Sequence, residues 1–166
     1  MKKLMMVGLT LAMLGGTVGC SEVTDKDQPK GSNENSQSHQ VNELNKEKKV
    51  KDLKMSIKSL KVKKDESIKK DEKLVEVSIA VKNIGKEDTG VGAGDFYLVD
   101  RKGKKYEMYG NEENFGALVK ASGELKGKSY YVVPKNSKNL SIVYSKAVDT
   151  SKDKKTLEWD IGTPKE

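Results

Sequence analysis

The sequence predicts an all-β fold, an antiparallel sandwich of about seven short strands, and three observations predict it. Residues 73–85 alternate, with Val75, Val77, Ile79 and Val81 on one face and Glu76, Ser78 and Lys82 on the other. That is the period-two pattern of a half-buried strand. Two further runs, Asp95–Asp100 and Lys104–Met108, flank Arg101-Lys102-Gly103, a hairpin turn with a glycine available for positive φ. Beyond these, short apolar runs recur between polar turns with no convincing helix among them, which points to a sandwich or barrel.

The elements follow in chain order. Lys2 and Lys3 precede an apolar run, Leu4–Leu14, and then the small residues Gly15, Gly16, Thr17 and Gly19. This is the anatomy of a signal peptide over residues 1–19. The run is shorter than the roughly 20 residues that span a bilayer. Thr17-Val18-Gly19-Cys20 resembles the lipobox of bacterial lipoproteins, with threonine standing where leucine is usual. The resemblance implies diacylglycerol on the Cys20 thiol, cleavage after Gly19 and a lipid anchor on the outer face of the cell membrane. Cys20 is the sole cysteine, so no disulfide can form within the chain.

Residues 20–49 read as a disordered tether, polar throughout except for Val23, Val41 and Leu44. Such a segment buries too little apolar surface to offset its conformational entropy. His39 lies in this tract and reads as polar filler. The domain is expected over residues 50–166.

Val50, Leu53, Ile57 and Leu60 fit helical spacing beside many lysines, the pattern of a basic helix lying on lipid. Leu53, Met55 and Ile57 also alternate, and Leu60 and Val62 resume the alternation after a one-residue slip, as a bulged strand would. Taken alone, the segment supports both. Later, Tyr130–Val133 ends at Pro134, a strand terminator, and Leu140, Ile142 and Tyr144 alternate, as do Leu157, Trp159 and Ile161. The expected core is Leu53, Ile57, Val75, Val77, Ile79, Val81, Phe96, Leu98, Val132, Leu140, Ile142, Leu157, Trp159 and Ile161.

Three stretches, VEVSIAVKNIGKED, GDFYLVDRKGKKYEM and GELKGKSYYVVPKNSKNLSIVY, resemble the telokin-like, immunoglobulin-like domain of Gram-positive surface lipoproteins, domain-of-unknown-function family 4352. Asn83, Asp95, Phe96, Leu98, Asp100, Gly103, Tyr106, Gly123, Leu125, Gly127, Pro134 and Lys135 carry the match. Lys126 replaces the usual proline. The resemblance implies an immunoglobulin-like sandwich over about residues 50–162 and makes residues 53–63 a strand. It implies no activity.

Chemistry is sparse in the residues themselves. No Cys or His follows residue 50, which excludes Cys–His and Ser–His–Asp catalysis and ordinary zinc sites. Glu87, Asp88, Asp95, Asp100, Glu112 and Glu113 lie in or beside loops without calcium-loop spacing, so no metal and no cofactor is expected. Gly90, Gly92 and Gly94 precede a strand rather than a helix, which leaves them a flexible loop and not a dinucleotide turn. The net charge of +7 suits anionic lipid or acidic wall polymers. The scattered lysines lack the stacking aromatics of a nucleic-acid binder. The expectation is a non-enzymatic interaction module whose partner is a protein or a cell-wall polymer, with Tyr109, Phe115 and Leu118 as candidate loop anchors. The alternative is an accessory envelope protein with no ligand pocket.

Overall fold

A computed structural model describes residues 42–149 and 154–165. The signal peptide, Thr17, Val18, Gly19, Cys20 and most of the expected tether lie outside the described residues.

Among the described residues, ten strands form three antiparallel sheets. The first sheet orders β1 (Lys48–Val50), β2 (Leu53–Lys63), β3 (Glu72–Asn83) and β8 (Glu124–Pro134). The second orders β10 (Leu157–Gly162), β9 (Leu140–Tyr144), β5 (Phe96–Val99) and β6 (Lys105–Tyr106). A ribbon of β4 (Thr89–Gly92) and β7 (Gly116–Val119) completes the fold. The two four-stranded sheets enclose one core in which Val75, Val77 and Ile79 of the first meet Leu98, Ile142 and Trp159 of the second. Trp159 is fully buried, as expected of a last-strand anchor. Alternation drives this arrangement, because each inward methyl-bearing side chain removed from water contributes about 1.5–3 kcal/mol.

The slip in β2 is real. Ile57 faces Ile79 and Ser59 faces Ser78, so Lys58 is the extra residue of a bulge. The bulge restores the inward phase for Leu60 and Val62, and the segment is a strand, not a helix. Gly103 turns the β5–β6 hairpin at φ +78°, and β8 ends at Pro134.

Four expectations need correction. First, residues 42–49 belong to the domain. The Glu43 amide donates to the Asp160 carbonyl at 2.7 Å, Trp159 Nε1 donates to the Lys46 carbonyl at 2.9 Å, and Leu44 packs on the core. Polar composition hid this because backbone pairing, not apolar side chains, holds the segment. Second, there are ten strands rather than seven; the short β1, β4 and β7 are the additions, and β8 starts six residues earlier than read. Third, the Gly-rich stretch around Gly90 and Gly92 is the strand β4 paired with β7, and Gly94 lies in a single 3-10 turn, Ala93–Asp95. Fourth, Val132 is only half-buried, while Tyr131 and Val133 face the core. The run YYVV lacks alternation, so its phase could not be read. Leu157 is likewise partly buried, packed against the rim of the core.

Among the described residues, the core runs from Leu44 to Ile161.

Candidate functional site

The strand directions gather four segments at one end of the sandwich: the β2–β3 loop (64–71), the β5–β6 turn (100–104), the β8–β9 loop (135–139) and residues 163–165 after β10. Backbone and side-chain bonds stitch them together. The Lys135 amide donates to the Asp71 carbonyl at 2.7 Å, and Lys73 Nζ donates to the Ser137 carbonyl at 3.2 Å. The Asn139 amide donates to Thr163 Oγ1 at 3.0 Å.

The β5–β6 turn is built around Asp100. One carboxylate oxygen accepts from the amides of Lys102 and Lys104, both at 2.9 Å, and the other from the Tyr106 hydroxyl at 3.0 Å. The Lys104 backbone bond leads in holding this carboxyl below the ordinary range. Burial, with Asp100 beside it, pushes the Tyr106 hydroxyl up. The acid is thus turned into the turn, while Arg101, Lys102 and Lys104 are exposed. With Asn136, Ser137 and Lys138 across from them, they line a groove of about 360 Å³ floored by Tyr106 and Pro134. That is the low end of ligand-sized clefts. A groove at the opposite end, between Val50 and Lys155, measures about 160 Å³.

The two ends differ in charge. The loops of the first end and Lys165 carry nine Lys or Arg and four Asp or Glu, a net of +5. Loops 51–52, 84–88, 93–95, 120–123, 145–149 and 154–156 of the other carry six and five, a net of +1. There, lysines are neutralised in place: Lys51 pairs with Asp149 at 3.2 Å and Lys120 with Asp88 at 2.8 Å. Among the described residues, Lys102, Lys104, Lys135 and Lys138 enter none of the ion pairs; Lys104 lies over the Tyr106 ring, 5.1 Å from its centroid.

A second cluster lies on the outer face of the first sheet. Glu76 is buried and accepts from the Tyr130 hydroxyl at 2.9 Å. Tyr130 also bonds Glu113, and Lys128 bridges both carboxylates at 3.3 Å. Burial pushes Glu76 up, but the Tyr130 and Lys128 bonds outweigh it and lower its pKa. The Tyr130 bond leads in lowering Glu113 as well. Both acids therefore stay ionised near neutrality and neither is poised as a general acid, which requires a raised carboxyl. Their work is to fasten the 108–115 segment along the edge of β8, where the Tyr109 amide meets the Tyr130 carbonyl at 2.7 Å and the Phe115 amide the Lys128 carbonyl at 2.9 Å. Among the described residues, no group of three or more His, Cys, Asp or Glu is placed to hold a metal.

The anchors expected from the sequence do not gather. Phe115 packs on the core, its ring 6.0 Å from that of Phe96, and a Cβ at Gly127 would overlap it. Tyr109 is half-buried beside β8. Only Leu118 is open, 56% exposed on the β4–β7 ribbon. Sequence reasoning missed the basic groove, since DRKGKK and PKNSK read as two separate turns until the topology brings them to one end.

The family comparison now has a geometry to stand on. A domain of unknown function, DUF4352, matches residues 42–155, from the first described residue almost to β10. The chain belongs to the DUF4352 family. Asn83, Asp95, Asp100 and Gly103, on which the resemblance in sequence rests, close turns here. Among solved structures, ycdA of Bacillus subtilis subsp. subtilis str. 168, a candidate lipoprotein, is 25% identical with a TM-score of 0.59. The match covers 70% of this chain and 38% of ycdA, so the chain spans well under half of that protein. The yjhA protein of Bacillus subtilis is 16% identical (TM-score 0.54), with 71% of this chain and 97% of that one covered. The secreted protein MPT63 of Mycobacterium tuberculosis is also 16% identical (TM-score 0.55; 71% and 94% covered). These last two share the DUF4352 fold alone. No curated protein sequence matches the chain. Neither the family description nor the names of these relatives carry a catalytic activity.

Proposed function

We propose that the chain is a lipid-anchored protein of the outer face of the cell membrane whose DUF4352 sandwich is a non-catalytic interaction module. The observation that carries this is Thr17-Val18-Gly19-Cys20 at the seam between an apolar leader and a polar tract. The likeness to the candidate lipoprotein ycdA supports it. Two acyl chains on Cys20 give stable anchoring, whereas one would be marginal. The basic groove between the β5–β6 turn and the β8–β9 loop is the binding face best supported by geometry. The test is fatty-acid labelling in cells. Wild-type chain takes up label and sediments with membranes; Cys20→Ser loses both. Labelling that persists in the serine variant overturns the anchor.

An accessory envelope role without a ligand is the second reading, favoured by the way Phe115 and Tyr109 are tied into the fold. Replacing Leu118 and the 100–104 turn together leaves cell behaviour unchanged under that reading and alters it under the first.

A further inference from the structure

The chain enters the sandwich at its basic end. The Asn42 side chain lies 3.9 Å from where a Cβ on Gly162 would sit, and Gly162 pairs with Leu140 where β10 ends and β9 begins. Twenty-one residues separate Cys20 from Asn42, so a lipid on Cys20 would join the sandwich through this end, the nearer to it along the chain.

That near end is also the end with the net positive charge and the groove. We propose that it is a docking face for anionic phospholipid headgroups, with Arg101, Lys102, Lys104 and Lys138 closing around phosphate oxygens and the β4–β7 ribbon held away from the membrane. The groove supplies what a headgroup needs: the exposed cations Lys102 and Lys104 on one wall and Lys138 on the other, with Asn136 and Ser137 beside them, and in its described lining the single acid Asp100, already held by its own turn. Arg suits the bidentate phosphate contact and Lys the point charge. The proposal rests on the lipid-anchor reading for which membrane lies next to the domain; headgroup binding itself is independent of it.

The test uses residues 38–166, one compact unit holding every core residue among those described, with vesicles of phosphatidylglycerol mixed equally with phosphatidylcholine, and with phosphatidylcholine alone. Partition is expected only to the anionic vesicles, falling with salt. Each removed cation should weaken it about fivefold. The variant Arg101→Gln, Lys102→Gln, Lys104→Gln, Lys138→Gln should lose roughly a hundredfold or more. The variant Lys86→Gln, Lys146→Gln, Lys154→Gln, Lys155→Gln has the same net charge and should lose less than about tenfold. Circular dichroism checks both folds, and Lys102→Glu alone, at an exposed turn position, serves if the first variant does not fold. Equal losses in the two variants reduce the effect to net charge and overturn the proposal. So does absence of partition, or displacement from vesicles by a soluble glycerol-phosphate polymer at equal phosphate, which would assign the groove to a wall polymer. Fatty-acid labelling of Cys20 is unaffected by any of these results, so the anchor and the docking face fail separately.

Discussion

The two ends of the sandwich use the same polar residue types for opposite purposes. At the end bearing the β3–β4 loop, Asn83 is fully buried and its side chain works inward. Its Nδ2 donates to the carbonyls of Glu87 at 2.7 Å and Val119 at 3.1 Å, and its Oδ1 accepts from the Gly85 amide at 2.9 Å. Asp95 similarly accepts from the amides of Gly92 and Ala147. At the basic end, Asp100 shapes a turn in the same way, yet the residues around it are cations facing water. The contrast separates residues that make the fold from residues that the fold displays. Asn83, Asp95 and Asp100 belong to the first kind, Lys102 and Lys138 to the second.

Substitutions can break that division or sharpen it. The largest effect is expected at Asn83→Ala, which strands the buried Val119 carbonyl and the partly buried Glu87 carbonyl and Gly85 amide. At roughly 1–3 kcal/mol for each unsatisfied group, a loss of about 3 kcal/mol is expected, measured by urea denaturation. A loss under about 1 kcal/mol would place Asn83 among the displayed residues. Next comes Glu43, whose carboxylate accepts from the Asp160 amide of β10 at 3.2 Å and pairs with Lys46 and Lys48 of its own segment, each at 2.6 Å. Burial pushes its carboxyl up, but the bonds from Lys46, Lys48 and the Asp160 amide pull it further down, to about 2 from 4.5. A depressed carboxyl stabilises the fold above its unfolded pKa and ceases to as pH falls through the folded one. Wild-type stability should therefore drop between pH 4.5 and about 2 in a way that Glu43→Gln does not. The difference at pH 7 should be of the order of 2 kcal/mol.

Gly103→Ala should cost about 1 kcal/mol, because φ +78° disfavours a Cβ. Its hydrogen-exchange signature should be confined to the β5–β6 turn. Smallest of all, Lys102→Gln and Lys138→Gln should change stability by no more than about 0.5 kcal/mol. A larger loss at either would make it part of the architecture and remove it from the binding face.

The division also explains what the sequence could disclose. Val75 to Val81 announce a strand because one face is wet and the other dry, and Gly103 announces a turn because few residues tolerate its φ. The bulge at Lys58 showed as a phase slip for the same reason. β4 and β7 were silent: four residues each, two of them glycine in β4, held by backbone pairing that leaves no side-chain period. Residues 42–49 were silent on the same grounds, since their hold on β10 is a carbonyl, an indole N–H and one carboxylate. Phe115 was read as a loop anchor because an aromatic in a polar, glycine-containing loop looks exposed until Gly127 is seen to make room for it. The basic groove is a product of topology alone; its two halves are 34 residues apart, Lys104 to Lys138, and nothing local links them.

The pairing of the first described segment with the last strand has a consequence for the order of events as the chain is made. The Glu43 amide and the Lys46 carbonyl find their partners in Asp160 and Trp159. A polypeptide emerging amino end first must hold residues 42–50 unpaired along that flank until more than a hundred further residues have appeared. The sandwich therefore closes late. A chain shorter than that has no complete native state, and the clasp is the last part of the fold to close.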